Sequence, residues 1–263
     1  MNLEELCYKV CEITESVGLF IKEQGGKINE ESVEEKSLNS LVTYVDKTAE
    51  MQLVKALGKL IPESGFITEE KTISKKGDVY NWIIDPLDGT TNFIHGIPCY
   101  CISIALMRND TLILGVINEL NQREKFYAWE GSKAYLNGKE IKISSTTELK
   151  NSLLATGFPY YDYNKMDQYI ELLKVFMRET RGVRRLGSAA TDLAYVACGR
   201  FDGFYEYGLN SWDVAAGAFI IQQAGGIIKD FKGGKNYVFG EDIMACSPGI
   251  YEEFIKKIKH HFN

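Results

Sequence analysis

Two aspartates three residues apart close an otherwise apolar segment, NWIIDPLDGTTNF, from Asn81 to Phe93. Carboxylates are hard oxygen donors, and Mg²⁺ commonly takes one or two of them together with waters and substrate phosphate. Pro86 fixes one backbone torsion between Asp85 and Asp88. The Leu87 carbonyl, lying between the two acids, offers a further oxygen. Gly89-Thr90-Thr91 reads as a helix start, where outward N–H groups suit a phosphate and Gly89 allows it close. Taken alone, D-P-x-D-G is equally an ordinary turn with Thr90 as a helix cap.

Other acids tip that balance. Glu69 and Glu70 end the apolar run GFITEE, and Asp213 opens the helix-like WDVAAGAF, where a helix N-terminus favours an acid. Three apolar segments that each deliver carboxylates to an edge read as a site for more than one divalent cation, because gathered like charges need counter-charge. Histidine is confined to His95, His260 and His261, so a His-rich zinc or iron centre is excluded. An EF-hand needs acids at alternate positions, and a serine hydrolase needs G-x-S-x-G; neither is present. The glycine-rich GGK and KGGK lack nucleotide-loop spacing and read as turns. In haloacid-dehalogenase phosphatases the signature is D-x-D-G-T, with an aspartyl nucleophile. Here the spacing is one residue longer, which favours metal-activated water over a covalent intermediate.

The elements that position these acids are legible from periodicity. Leu3, Leu6, Cys7, Val10, Ile13, Val17 and Phe20 form a helical stripe that Gly25-Gly26 stops. The polar KINEESVEEKSLNS reads as a surface loop. A second helix spans about Asp46 to Leu60, with Ala49, Leu53, Ala56, Leu57 and Leu60 inward. GFITEE and NWIID are strands, and Cys99 and Cys101 share a strand face. From Tyr100 to Ile143 the texture is β, with turns at Asn109-Asp110 and Asn137-Gly138. Beyond Thr147 helices and strands alternate: strand SLLATGF, helix MDQYIELLKVFMRET, helix SAATDLAYVACG, strand FDGFYEY, helix WDVAAGAFIIQQAGG, strands IIKDF and IMACS, and a last helix YEEFIKKIKHHF. This divides the chain into an α+β half, 1–148, carrying the main metal motif, and an α/β half, 149–263, completing the site.

At 263 residues the chain can bury a full core. Its net charge of -6 argues against a general nucleic-acid binder, which neutralises phosphates with a basic surface. No apolar run approaches a membrane span, and the acidic, amphipathic N-terminus is unlike a signal peptide. Six cysteines without a C-x-x-C pair read as small hydrophobes in a reducing cytoplasm.

W-I-I-D-P-L-D-G-T-T-N-F, the upstream E-E, and W-D-V-A-A-G-x-x-I-x-x-x-A-G-G together resemble the two signatures of the inositol monophosphatase family, in matching order across essentially the whole chain. The resemblance implies a layered α-β-α-β-α sandwich, a homodimer, and Mg²⁺-dependent, lithium-sensitive hydrolysis of a phosphate monoester, with two or three Mg²⁺ per site. By that resemblance Glu69, Asp85 and the Leu87 carbonyl hold a first ion, and Asp85, Asp88 and Asp213 a second. Thr90 activates the attacking water, Asp46 bonds to Thr90, and Lys36 approaches the metals from a mobile loop. Gly89 and Thr90 hold the phosphate; Gly187, Ser188, Ala189 and Glu206 lie beside the substrate, as do Asp88 and Asp213. Read without it, Lys36 is a solvated lysine, Glu206 a surface acid and Asp46 a helix cap. Thr68 departs from the commoner glycine before the paired acids, and Asn210-Ser211 precede Trp212-Asp213. The substrate implied is a small phosphorylated polyol or sugar, first inositol 1-phosphate. Relatives serve fructose 1,6-bisphosphate and 3′-phosphoadenosine 5′-phosphate, whose second phosphate would need a basic cluster. Arg184 and Arg185 are the nearby candidates, and Arg184 is also a candidate dimer contact. Some bacterial relatives associate with transcription machinery, which gives a second reading as a regulatory binding partner.

Overall fold

The computed structural model describes residues 1–27, 33–37, 40–159 and 162–262. Helix α1 (Leu3–Gln24) begins where Asn2 Oδ1 accepts from the N–H groups of Glu4 and Glu5, and it ends at Gly25 and Gly26. Its buried stripe of Leu6, Cys7, Val10, Val17 and Ile21 keeps the three-to-four spacing of one helical face. Helix α2 (Tyr44–Leu60) starts earlier than the expected Asp46, because the cap is Thr43: its Oγ accepts from Val45 N at 3.1 Å, and Asp46 Oδ2 accepts from Thr43 N at 2.8 Å. Val45, Ala49, Leu53 and Leu57 are buried, whereas Ala56 and Leu60 are half-buried.

The segment expected to be a surface loop is in part a hairpin, β1 (Val33–Ser37) pairing antiparallel with β2 (Ser40–Thr43). A ladder of backbone hydrogen bonds needs no apolar alternation, so a polar hairpin leaves no periodic trace in the sequence. Lys36 falls on β1, and its side chain lies outside the described residues.

The larger sheet has seven strands in chain order: β3 (Gly65–Thr68), β4 (Tyr80–Asp88), β5 (Cys101–Arg108), β6 (Thr111–Glu119), β7 (Glu124–Trp129), β8 (Ala134–Leu136) and β9 (Lys139–Ile141). Only β3 and β4 pair in parallel; the others are antiparallel. The expected turns are present, with Asn109 at φ 53° and Asn137-Gly138 at 48° and 83°. Cys99 does not join Cys101 on a strand face. It has φ 90° and precedes β5, held where its carbonyl accepts from Asn92 Nδ2 at 2.8 Å.

The second sheet contains β10 (Leu153–Thr156), β11 (Gly182–Arg184), β12 (Gly203–Tyr207), β13 (Ile227–Lys229) and β14 (Asp242–Cys246), in the order β11-β10-β12-β14-β13. The short edge strand β11 has too few residues to show alternation and escaped the sequence reading. Helices α3 (Thr90–Ile94), α4 (Met166–Glu179), α5 (Ala189–Ala197), α6 (Ser211–Gln223) and α7 (Tyr251–Phe262) complete the described elements.

Alternation within β4 shows how the layers stack. Trp82 and Ile84 face α1 and α2, while Ile83 faces α5 and α6. The same α5–α6 layer packs on Ala155, Phe204 and Ala245 of the second sheet, whose other face meets α4 and α7 through Tyr205, Met244, Phe176 and Phe254. The fold is thus an α-β-α-β-α sandwich. Helix α6 is buried between two sheets, which explains its nearly all-round apolar and small-residue sequence. A Cβ on Gly115 of β6 would lie 2.7 Å from the Ala216 carbonyl oxygen, and one on Gly217 would lie 2.5 Å from Leu193 Cβ. These glycines let α6 sit close to both neighbours and so fix where its N-terminus, with Asp213, emerges. The six cysteines are unbridged, and no helix among the described residues is long and apolar enough to cross a membrane.

Candidate active site

Residues three apart on a regular strand point to opposite faces. Asp85 and Asp88 escape that rule because β4 bulges between them. Asp85 pairs with Ser103 and Asp88 with Cys101, so three steps along β4 oppose two along β5. The extra residue returns both aspartates to one face, and Pro86, which has no N–H to give the ladder, is tolerated there. Asp213, at the third position of α6, joins them: one carboxylate oxygen from each of Asp85, Asp88 and Asp213 lies within 4.8 Å of the others.

Each of these acids has an oxygen tied down by the backbone. Asp85 Oδ1 accepts from Leu87 N at 2.9 Å, and Asp213 Oδ2 accepts from Asn210 N at 2.6 Å. Asp88 Oδ2 accepts from Ser188 Oγ and from Ala190 N, both at 2.7 Å, at the start of α5. Fixing one oxygen orients the other without holding any cation in place.

Burial pushes the Asp85 and Asp213 carboxyls well above the usual carboxylate range, helped by the charges of Glu69 and Asp88 and, for Asp85, of Asp213. Asp88 is pushed up to about 6, again chiefly by burial, against the lowering effect of its Ser188 bond. Crowded, buried, oxygen-only acids of this kind fit a hard divalent cation, which removes the repulsion. Glu69 stands outside the tight trio but lines the same cleft at the end of β3.

Thr90 Oγ donates to Asp46 Oδ1 at 2.9 Å and lies 3.0 Å from the Leu87 carbonyl oxygen. Asp46 is fully buried, and its Oδ2 takes both the N–H and the hydroxyl of Thr43, at 2.8 and 2.6 Å. The cap reading and the site reading of Asp46 are therefore both true of one carboxylate. Gly89 has φ 96°, and a Cβ there would meet the Cys99 carbonyl at 2.9 Å and Tyr100 Cβ at 3.1 Å. Glycine is required by the turn and the crossing chain, whatever approaches from the cleft.

Of the residues singled out from sequence, Glu69, Asp85, Leu87, Asp88, Gly89, Thr90, Gly187, Ser188, Ala189, Glu206 and Asp213 line one cleft, and Asp46 sits behind Thr90. Glu206 is buried at 4% exposure on β12, not a surface acid. Asn92 Nδ2 also donates to the Leu186 carbonyl at 2.8 Å, tying the Asp88 turn to the loop that carries Gly187.

Two residues escaped the sequence reading. Glu50 is fully buried in α2, and its carboxylate accepts from Glu70 N at 2.7 Å, Thr72 N at 2.8 Å and Thr72 Oγ at 2.7 Å. It holds the turn after β3, with Lys71 at φ 53°, that follows Glu69. The second is Asp192, buried in α5 and lining the cleft. The available signal in both cases was an acid at an inward position of an apolar helical stripe.

A family model described as the inositol monophosphatase family matches residues 2–262. A protein named putative Nus factor SuhB, from Neisseria meningitidis serogroup B, is 40% identical over 245 residues, 93% of this chain and 94% of its own. One named inositol-1-monophosphatase, from Mesorhizobium japonicum, is 36% identical over 92% of this chain and 91% of its own. Among solved structures, SuhB of Bartonella henselae superposes with TM-score 0.91 at 34% identity, covering 97% of this chain and 98% of its own. The Thermotoga maritima IMPase superposes with TM-score 0.89 at 33% identity, covering 98% of each. With the family model spanning 2–262 and relatives above 30% identity matched along nearly their whole length, the chain belongs to the inositol monophosphatase family.

Proposed function

We propose that this protein is a Mg²⁺-dependent phosphomonoesterase acting on inositol 1-phosphate, releasing inositol and phosphate without a covalent intermediate. The observation that carries the reading is the convergence of Asp85, Asp88 and Asp213 within 4.8 Å, with Glu69 lining the same cleft. Two or three Mg²⁺ would be held by Glu69, Asp85, the Leu87 carbonyl, Asp88 and Asp213. When bound, they supply Lewis acidity toward water and the phosphoryl oxygens.

The chain's own part is positioning and proton handling. Because the Thr90 hydroxyl donates to Asp46, its lone pairs are left to accept a proton from an attacking water, and Asp46 Oδ1 is placed to take the Thr90 proton in turn. Burial raises the Asp46 carboxyl above its ordinary value, strengthening it as that acceptor. The Gly89 and Thr90 N–H groups are the proposed phosphate cradle, and Glu206 and the Gly187–Ala189 backbone the proposed substrate wall. We read residues 1–148 as supplying the metal motif and 149–263 as completing it, in a cytoplasmic homodimer. A panel of phosphate monoesters with Mg²⁺ and with EDTA tests the reading. Mg²⁺-dependent release of phosphate from inositol 1-phosphate is expected, and none from any ester would overturn it.

A second reading is favoured by relatives named Nus factors: the chain could also serve as a partner of transcription machinery. The two readings separate cleanly, since a pure binding module would show no Mg²⁺-dependent turnover.

A further inference from the structure

The cleft holds a second set of charged side chains that the hydrolytic chemistry does not use. Asp192 on α5 and Glu206 on β12 are exposed by only 1% and 4%, and both line the cleft. Asp192 Oδ1 has no hydrogen-bond partner among the described residues. Buried polar atoms are nearly always satisfied, and of the unpartnered buried atoms Asp192 Oδ1 belongs to a residue that lines the cleft, where a bound molecule is a candidate donor. A Cβ on Gly157 would fall 2.1 Å from both Glu206 carboxylate oxygens, so bare backbone there makes room for that acid. Arg185 lines the same cleft from an exposed position, its guanidinium 5.7 Å from the Phe158 ring centre. Its charge opposes, without cancelling, the burial that holds both carboxyls well above the usual range.

We propose that Asp192 is a specificity-determining residue: its Oδ1 accepts a hydrogen bond from a hydroxyl of the substrate's polyol, and with Glu206 it disfavours a second phosphate at this wall. The proposal rests on the phosphomonoesterase reading and narrows its substrate class. A polyol brings O–H donors, which is what a buried carboxylate lacks. A second phosphate brings negative charge and acceptors to two acids that, among the described residues, Arg185 offsets in part. An aryl ester gives Asp192 nothing to accept.

The test compares kcat/KM for inositol 1-phosphate, phenyl phosphate and fructose 1,6-bisphosphate in the full chain with Mg²⁺, for wild type, Asp192→Ala and Asp192→Asn. Asp192→Ala is expected to cut the preference for inositol 1-phosphate over phenyl phosphate by about ten- to a hundredfold, the effect of one hydrogen bond to a charged group. Fructose 1,6-bisphosphate should gain relative to inositol 1-phosphate. Asp192→Asn keeps the shape and one acceptor oxygen, so it should fold like wild type and fall between. Equal losses on the polyol and aryl esters in both variants, or an unchanged ratio, would overturn the proposal. Should wild type turn over none of the esters, the phosphatase reading falls by itself. Calorimetric binding of inositol 1-phosphate in Mg²⁺ then decides this inference, since Asp192→Ala must weaken it by the same factor.

Discussion

The two acidic walls of the cleft are built from the same residue types and balanced differently. On one, Asp85, Asp88 and Asp213 crowd together beside Glu69, and among the described residues the three aspartates take their hydrogen bonds from neutral donors. On the other, Asp192 and Glu206 are buried under the charge of Arg185. A wall of acids balanced by neutral dipoles alone demands mobile cations, whereas on the other wall Arg185 offsets part of the cost of the acids, although burial still holds both carboxyls well above the usual range. On the proposed function, chemistry and selectivity are separated by the source of the positive charge.

The largest break in that comparison is Asp88→Asn, which removes one acid from the cation-dependent wall. Turnover is expected to fall to the background of the assay at saturating Mg²⁺, with the circular dichroism unchanged. Near-wild-type turnover would sink the assignment. The same wall gives the EDTA-treated protein a characteristic pH dependence. The Asp88 carboxyl is raised from 3.8 to about 6 on folding, so the folded state binds the proton that the unfolded state has lost. Stability is then fully present below pH 3.8 and lost as pH rises through about 6. Thermal melts between these values should show the decline, and Asp88→Asn should make it shallower, the remainder coming from Asp85 and Asp213, whose carboxyls burial also raises.

Next in size is Thr90→Val, which removes the hydroxyl between the water and Asp46 while keeping the side-chain shape. A loss of about a hundredfold in kcat is expected from the missing proton path. Mg²⁺ affinity measured by calorimetry should stay near wild type, because Thr90 is not among the proposed ligands. A parallel collapse of Mg²⁺ binding would move Thr90 from proton handling to metal support.

How far these walls could be read from the chain differs in the same way. Asp85 and Asp88 were legible because a local device, Pro86 followed by Gly89, marks them in one short stretch. The bulge that puts them on one face was not, since register is a property of two strands. Glu50 looked like one more acid in a charged helix until its carboxylate met a turn twenty residues on. Most helices and strands followed from periodicity and the layer order only from the family resemblance, while the hairpin β1–β2 and strand β11 carry too little alternation to announce themselves. Asp192 was hidden because an acid near a helix N-terminus has an adequate local explanation.

Glu50→Gln examines support for the cation-dependent wall at one remove. The amide keeps the volume but weakens the grip on Glu70 N and Thr72 N, loosening the turn after Glu69. About a tenfold loss in Mg²⁺ affinity is expected, with kcat recovered at high Mg²⁺, as for outer partners of metal ligands. A lowered melting temperature with unchanged Mg²⁺ affinity would make Glu50 purely structural.

The smallest effect separates two roles for Ser188, at the point where α5 serves both walls. The sequence reading put the Gly187–Ala189 segment beside the substrate, yet the Ser188 hydroxyl donates to Asp88 Oδ2 at 2.7 Å and also caps α5 by accepting from Thr191 N at 3.3 Å. Ser188→Ala should cost about 1 kcal/mol of stability through the lost cap. It also strips Asp88 of a bond that favours its ionised form, so the pKa of that carboxyl should rise further and protons should compete more strongly with Mg²⁺ for it. The concentration of Mg²⁺ for half-activation should therefore increase a few-fold near pH 6, where Asp88 titrates, and approach wild type near pH 8, where the carboxylate is ionised regardless. If the hydroxyl instead contacts the substrate, KM for inositol 1-phosphate will rise equally at both pH values while half-activation by Mg²⁺ stays put. That outcome would assign Ser188 to the wall of Asp192 and Glu206.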